Sequence, residues 1–163
     1  MLQARLLDLA IVSGGLSSRA LSREVVGEGR YACLLDAAHP PLKRGPLTLK
    51  EYLRRDHILI SSGGFVGVVD EALAAIGHKR RVAASTTHFS ALPFLLGGSD
   101  AVATMPGHAA TAIAARTGLL LFACPIAIPR YAVEVGWRTG SVRDAAVAMV
   151  RAALLELPGA IRW

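Results

Sequence analysis

The stretch RVAASTTHFSALPFLLGGSDAVATMP, residues 81–106, decides the fold. It predicts a short apolar strand over 82–84, then a short helix, and a second strand that ends at Pro106. Ser85, Thr86 and Thr87 stand where the helix is predicted to begin, and the first turn of a helix carries unpaired backbone N–H groups that favour anions. The stretch therefore indicates a pocket wall that could hold a carboxylate, although each hydroxyl could instead only cap its own helix.

Short apolar runs alternate with helical patterns along the rest of the chain. We predict strands over 7–12, 31–35, 57–60, 119–122 and 131–137, and helices from Thr48, over 66–76, over 108–116 and from Ser141, with Asp144 in the first turn of the last. Thr48 followed by Glu51 has the spacing of a capping box. Because the intervals fit parallel crossovers, the predicted fold class is α/β.

The charge pattern does not indicate a nucleic-acid-binding surface. The formal net charge is +6, from 18 Lys and Arg against 12 Asp and Glu, but the basic residues are scattered. The single basic run, at 79–81, falls between a predicted helix and a predicted strand, where a solvated turn is the ordinary explanation. No recognition helix or aromatic platform accompanies it.

The cysteines and the apolar runs predict a cytoplasmic protein. Cys33 and Cys124 lie far apart in sequence and outside any Cys-x-x-Cys motif, so we predict two buried thiols in a reducing compartment. Arg5 and Asp8 interrupt the first apolar stretch, so an export signal is not indicated. Prolines and glycines break the apolar run over 82–115 well short of the about 20 residues of a membrane-spanning helix.

The chain carries no motif for catalysis, a metal or a cofactor. It has no P-loop and no nucleophile elbow, and GGFVG at 63–67 does not fit the dinucleotide fingerprint and predicts a tight turn. The five histidines show no metal-ligand spacing. Only His88 lies in the predicted pocket wall, where it could contact a ligand or form a structural hydrogen bond. We therefore expect no catalytic residue, no metal, no cofactor and no enzyme activity.

A series of short motifs runs in order along nearly the whole chain: DLAI at 8–11, HP at 39–40, GVVD at 67–70 with AL at 72–73, RRVA at 80–83, FxALP at 89–93, SDxVATxP at 99–106, PxxxP at 125–129, Trp137, and Asp144 with VR at 150–151. In this order and spacing the sequence resembles the effector-binding domain of LysR-type transcriptional regulators, particularly the branch that responds to aromatic acids and flavonoids.

The resemblance implies a type 2 periplasmic-binding-protein-like fold, with two α/β lobes and an effector cleft. The first lobe would comprise residues 1–13 and 120–163, and the second residues 14–119. Relative to the family, the first lobe is expected to be incomplete, because its first strand and helix are missing. Full-length family members also carry a helix-turn-helix domain and bind DNA as oligomers. We expect this chain to form a homo-oligomer, and to reach DNA only through such a domain, which it lacks.

The function implied by the resemblance is the sensing of a small organic effector, aromatic or carboxylate, between the two lobes to modulate transcription. The predicted effector-binding residues are Ser13 from the first lobe, Thr87, His88 and Phe89 at the helix start, and Pro106 behind them. Hydroxyl and backbone N–H groups would hold a carboxylate, and Phe89 would offer an apolar face. Two alternatives remain open: a solute-binding protein of the same fold, and a truncated remnant that no longer senses a ligand.

Overall fold

The computed structural model describes residues 7–13, 20–40, 45–61 and 67–156, apart from the side chains at 142 and 143. Most of the glycine turn predicted at 63–67 and the predicted helix start at 66 lie outside these residues. The chain forms two units: one comprises the residues up to Gly29 and those from Arg130, and the other comprises Arg30–Pro129. The chain therefore crosses between the units after Gly29 and again after Pro129. The lobe boundaries derived from the resemblance stay a prediction.

The described residues contain these strands and helices, in chain order: β1 Leu9–Ser13, β2 Leu21–Gly29, β3 Tyr31–Leu35, α1 Leu49–Arg54, β4 Asp56–Ile60, α2 Val68–Ala75, β5 Arg81–Thr86, α3 Leu92–Leu96, β6 Val102–Pro106, α4 Gly107–Thr117, β7 Leu120–Ala123, β8 Tyr131–Arg138 and α5 Ala145–Leu155. Two 3-10 helices span Phe89–Ala91 and Thr139–Arg143. Most predicted elements are present, but β2 was not predicted.

The first unit contains a three-stranded antiparallel sheet in the order β1-β8-β2. Side chains on one face of a strand recur every second residue, and β8 buries Val133, Val135 and Trp137 in this way. They pack against Val26 of β2 and Val147 of α5. This small core orders β2, although its sequence is rich in charge and glycine.

The last helix begins later than predicted. Residues Thr139–Arg143 form a 3-10 helix, and α5 begins at Ala145. The Asp144 carboxylate accepts hydrogen bonds from the backbone N–H groups of Ala146, at 2.9 Å, and Val147, at 3.3 Å. Asp144 is therefore the N-cap of α5. It does not lie in the first turn of a helix from Ser141, because its side chain accepts hydrogen bonds from the first N–H groups of a helix that begins at Ala145.

The second unit contains a five-stranded sheet in the order β5-β4-β6-β3-β7. β4 is parallel to both β5 and β6, whereas β3 is antiparallel to both β6 and β7. Parallel crossovers were predicted throughout, and this prediction is wrong for β3 and for the whole first sheet. The α/β class itself is confirmed, because helices pack on both faces of the five-stranded sheet.

Alternate residues of β3 and β6 face two separate cores. Leu34, Ala103 and Met105 pack with residues of α3 and α4 on one face of the sheet. Cys33 and Val102 pack with residues of α1 and α2 on the other. Each large apolar side chain that is fully removed from water contributes about 1.5–3 kcal/mol, so both faces hold the sheet in place.

A buried histidine joins α1 to β4. His57 is fully buried, and its Nε2 donates a hydrogen bond to the carbonyl oxygen of Tyr52 at 2.9 Å. The two rings meet edge to face at 4.5 Å between centroids. The other ring nitrogen, Nδ1, has no hydrogen-bond partner in the part of the chain that is described. Burial lowers the pKa of His57 to about 4, so the ring is neutral at pH 7.

An ion pair joins α2 to the segment before β5. Arg80, whose side chain is 2% exposed, donates from Nε and Nη2 to the two carboxylate oxygens of Asp70, both at 2.8 Å. Asp70 also accepts a hydrogen bond from the backbone N–H of Gly67 at 2.9 Å. Chiefly through the Arg80 hydrogen bonds, the pKa of the Asp70 carboxyl lies below its ordinary value.

The free edge of β1 is expected to promote self-association. β1 pairs with β8 on one side, and no strand of the described residues pairs with its other side. Ile11 is 47% exposed on this strand. β2, at the opposite edge of the sheet, carries exposed Arg23 and Glu24 and a register shift, which are features that protect an edge. We therefore expect concentration-dependent association that light scattering detects.

The substitution Ile11→Lys should reduce this association, because lysine on an edge strand opposes pairing with a second strand. Val25→Lys is the matched control, since it adds the same charge to an exposed position of β2. A parent protein that stays monomeric at high concentration, or an equal effect of the two substitutions, would contradict the prediction.

Candidate functional site

Polar residues gather at one edge of the five-stranded sheet, where its parallel strands end. β4, β5 and β6 run in the same direction, so their carboxyl ends lie at the same edge. Ser61, directly after β4, donates its backbone N–H to the carbonyl oxygen of Thr86 at 3.1 Å. β6 ends at Pro106, which is opposite Tyr31 at the start of β3. We call this region the carboxyl edge.

The hydroxyl that closes the turn after β5 belongs to Thr86. Its Oγ1 accepts a hydrogen bond from the backbone N–H of His88 at 3.1 Å. Thr87 is exposed, and its hydroxyl forms no hydrogen bond with any residue that the structure describes. Of the three predicted hydroxyls, Thr86 has a structural role, Ser85 lies exposed within β5, and Thr87 is available to a ligand.

The helix after this turn is shorter than a strong anion site requires. The chain forms one 3-10 turn over Phe89–Ala91 and then α3, which is five residues long. Helix dipole effects act through aligned peptides near the terminus, so a helix this short contributes little. His88 is exposed before the turn, and Phe89 is 38% exposed. The predicted anion site therefore has the expected residues but a weaker helix.

A longer helix, α4, begins at the same edge directly after Pro106. The backbone N–H of Gly107 donates to the carbonyl oxygen of Arg30 at 2.7 Å. A Cβ atom at position 107 would lie 2.9 Å from that oxygen, so only glycine allows this close approach without a shift. The next N–H groups of α4 belong to the first helical turn, which lacks intrahelical acceptors.

The structure adds two aromatic residues that the sequence argument missed. Tyr31 and His108 are both half-buried and lie near Pro106. Tyr31 is the partner of Pro106 in the β3–β6 pairing, and His108 follows Pro106 by two positions in the chain. Burial raises the pKa of Tyr31 and lowers the pKa of His108, so both side chains are neutral at pH 7. His108 could have been found from its place next to the predicted strand end. Tyr31 could not, because only the pairing of β3 with β6 brings it here.

Four predicted site residues lie in one unit and the fifth in the other. Thr87, His88 and Phe89 are contiguous at the end of β5, and Pro106 lies at the end of β6, with β4 between these strands. Ser13 is the exposed last residue of β1, opposite Val133, in the first unit. The structure therefore brings four of the five residues to the carboxyl edge. Their role, and that of Ser13, stays a prediction.

The edge offers hydrogen bonds and apolar contact. Within the described ranges, no three side chains of His, Cys, Asp and Glu come together as a metal site would require. None of the helices described is both long and apolar enough to cross a membrane. The arrangement can bind an anionic or polar group beside an exposed ring.

The two sheets and their helices match solved regulatory domains of LysR-type regulators, which have the type 2 periplasmic-binding-protein-like fold. The regulatory domain of MexT, a transcriptional activator in Pseudomonas aeruginosa, has the same architecture: the TM-score is 0.82 at 27% identity, over 95% of this chain and 74% of that chain. The chain belongs to the LysR substrate-binding domain family, whose family model matches residues 1–158. The resemblance and the fold class predicted from the sequence are both confirmed.

Curated relatives agree with this assignment. The HTH-type transcriptional activator NahR of Pseudomonas putida is 28% identical over 158 residues, which is 96% of this chain and 52% of NahR. Nodulation protein D 2 of Sinorhizobium fredii is 32% identical over 126 residues, which is 76% of this chain and 40% of that protein. The chain thus spans about half the length of the curated relatives it matches. The family is one of transcriptional regulators.

Proposed function

We propose that this chain senses a small organic acid, with an aromatic or other apolar body and a carboxylate, and that its carboxyl edge is the effector site. The observation that carries the proposal is the position of Thr87–Phe89 and Pro106 at the same edge. The Thr87 hydroxyl would donate to the carboxylate, and charge-assisted hydrogen bonds of this kind are stronger than neutral ones. The exposed face of Phe89 would cover the apolar body.

Tyr31 and His108 would complete the polar lining beside Pro106. Because both are neutral at pH 7, they would form hydrogen bonds with the effector without selecting for its charge. We also propose Ser13 as an effector contact, on the resemblance alone, and Ser13→Ala belongs in the titrations below. A solute-binding protein of the same fold is disfavoured, because the named relatives are transcriptional regulators.

In the whole protein, we propose that effector binding modulates transcription by shifting a distribution of conformations. DNA would be bound through a helix-turn-helix domain, as in NahR, which is named an HTH-type activator. The whole protein would be a cytoplasmic homo-oligomer without enzyme activity. A fusion of such a domain to this chain tests the proposal, because a reporter gene should then respond to effectors that the isolated chain binds and to no others.

The effector site is tested by calorimetric titration with benzoate-like and flavonoid-like acids. Phe89→Ala should remove apolar contact, and Thr87→Val should remove one hydroxyl while nearly keeping the shape. We expect each to weaken binding by about 1–3 kcal/mol, or roughly 5- to 150-fold in Kd.

Lys50→Ala is the matched control, because Lys50 is an exposed residue of α1 away from the carboxyl edge. It should leave the affinity unchanged. A ligand that binds the parent, Phe89→Ala and Thr87→Val with equal affinity would show that this edge is not the effector wall and that its hydroxyls serve only the turn.

A further inference from the structure

The two cysteines, 91 positions apart in sequence, meet on one face of the five-stranded sheet. Cys33 lies on β3, where its partner on β7 is Phe122. Cys124 is two residues beyond Phe122, so its side chain points to the same face, and both cysteines belong to the core formed with α1 and α2. Cys33 is buried as predicted, whereas Cys124 is only half-buried, so the prediction is wrong for Cys124. Nothing in the sequence indicated that the two thiols are neighbours.

The two thiols have unequal surroundings. Cys33 is fully buried, and its Sγ contacts Thr104 Oγ1 at 3.5 Å, which in turn contacts the Tyr52 hydroxyl at 2.8 Å. Cys124 is half-buried, and a hydrogen bond from Cys33, the backbone N–H of Ile126 and, to a smaller extent, the charge of Arg80 favour its thiolate against the opposing effect of burial. Reactive cysteines are partly exposed and have groups nearby that favour the thiolate, whereas a buried cysteine reacts slowly with reagents that come from solvent.

The pKa values of the two thiols are shifted in opposite directions. A hydrogen bond from Cys33 lowers the pKa of the Cys124 thiol, and the same contact together with burial raises the pKa of the Cys33 thiol. Cys124 is accordingly the better nucleophile of the pair, and Cys33 is the thiol that keeps its proton.

We propose that Cys124 is a site of oxidation by peroxides and that Cys33 resolves the product into a disulfide between β3 and the end of β7. In the first step the Cys124 thiol ionises, and its thiolate attacks one peroxide oxygen. An S–O bond forms, the O–O bond breaks, and the leaving hydroxide takes up the proton that the thiol released and becomes water, which leaves Cys124 as a sulfenic acid. In the second step the Cys33 sulfur attacks the Cys124 sulfur and displaces hydroxide, which leaves as water with the Cys33 proton. The two sulfurs lose two electrons in total, and the peroxide gains them.

The backbone at Cys124 permits this closure. Diagonal neighbours on antiparallel strands lie about 7–8 Å apart, which is just beyond the usual Cα separation of a disulfide, so a small backbone shift is needed. The β3–β7 pairing ends at Ala32 and Ala123, so Cys124 lies beyond the last paired residue. Its backbone can therefore move without breaking a ladder hydrogen bond.

The test treats the parent protein, Cys33→Ser and Cys124→Ser with hydrogen peroxide and follows intact mass and thiol content. The dilute parent should lose two hydrogens and both thiols as a monomer, and dithiothreitol should reverse the change. Cys33→Ser should accumulate a Cys124 sulfenic acid that a dimedone-type probe labels. Cys124→Ser should keep its Cys33 thiol.

A measurement on the unmodified parent does not depend on the folding of a variant: iodoacetamide should alkylate Cys124 at least about tenfold faster than Cys33. The proposal is overturned if peroxide leaves both thiols of the parent free, if only intermolecular disulfides form, if the sulfenic acid persists in the parent, or if Cys33 in Cys124→Ser is oxidised as fast as Cys124 in Cys33→Ser.

Discussion

Lowering the pH from 7 to 4 is expected to reduce the free energy of unfolding by about 3 kcal/mol through His57 alone. In the unfolded chain a histidine protonates near pH 6.5. In the folded protein the pKa of His57 lies at about 4, because the ring is fully buried. Between these values the unfolded state binds a proton that the folded state does not, so stability is complete above pH 6.5 and falls as the pH drops towards 4.

The structural reason lies at Nδ1 of His57. Protonation would place a second N–H there, and no hydrogen-bond acceptor among the described residues meets it. Urea unfolding at a series of pH values measures the effect. The variant His57→Gln can keep a donor towards the Tyr52 carbonyl oxygen but cannot titrate, so its stability should depend less on pH between 6.5 and 4. Equal slopes for parent and variant in this window would exclude His57 as the cause.

Replacing Asp70 by Asn is expected to destabilise the protein by about 2–4 kcal/mol at pH 7. The substitution keeps the shape of the side chain and an oxygen that can accept the Gly67 N–H. It removes the negative charge opposite Arg80, whose guanidinium is buried and bonded to both carboxylate oxygens. The free-energy cost of leaving a buried charge without its partner is larger than the net stability that the pair contributes.

A double-mutant cycle separates the pair from other effects. Arg80→Met in the Asp70→Asn background should recover much of the lost stability, because no buried charge then remains. Glu28→Gln is the matched control: Glu28 pairs with Arg130 at 3.1 Å, but both side chains are more than half exposed, so the change should have little effect. A cycle without coupling between positions 70 and 80 would show that the ion pair does not hold α2 to the segment before β5.

The pH dependence of the Asp70–Arg80 pair has its own window. Because the pKa of Asp70 is lowered in the folded state, its contribution is present above the ordinary carboxyl pKa and is lost as the pH falls through the folded value. That window lies below the ordinary value of 3.8, and therefore below the His57 window. The two effects can be resolved in a single series of unfolding curves.

Local signals in the sequence predicted the elements well. Thr48 caps α1 as its spacing with Glu51 indicated, since its Oγ1 accepts the Glu51 N–H at 3.3 Å. Pro106 ends β6, and α4 follows where small residues predicted a helix. These outcomes depend on residues within one turn or one strand, and such residues are adjacent in the sequence.

Features that depend on distant pairing could not be predicted. β2 contains Arg23, Glu24 and Glu28 and two glycines, so its own sequence does not favour a strand. Its pairing with β8 and the packing of Val26 in the core of the first unit order it. The direction of β3 depends on its two neighbours, and this direction places Tyr31 beside Pro106. The contact of Cys33 with Cys124 arises from the same β3–β7 pairing. Which strands pair is decided by global packing, which no short motif records.

The hydrogen bond from Gly107 to Arg30 has a mechanical consequence. Arg30 is the first residue of its unit, directly after one of the two places where the chain crosses between units. Gly107 is the first residue of α4, at the proposed effector edge. The first residue of that helix and the connection between β2 and β3 are thus joined by one backbone hydrogen bond of 2.7 Å. A ligand that displaced the first turn of α4 would therefore also displace the backbone at Arg30, where the chain enters its unit.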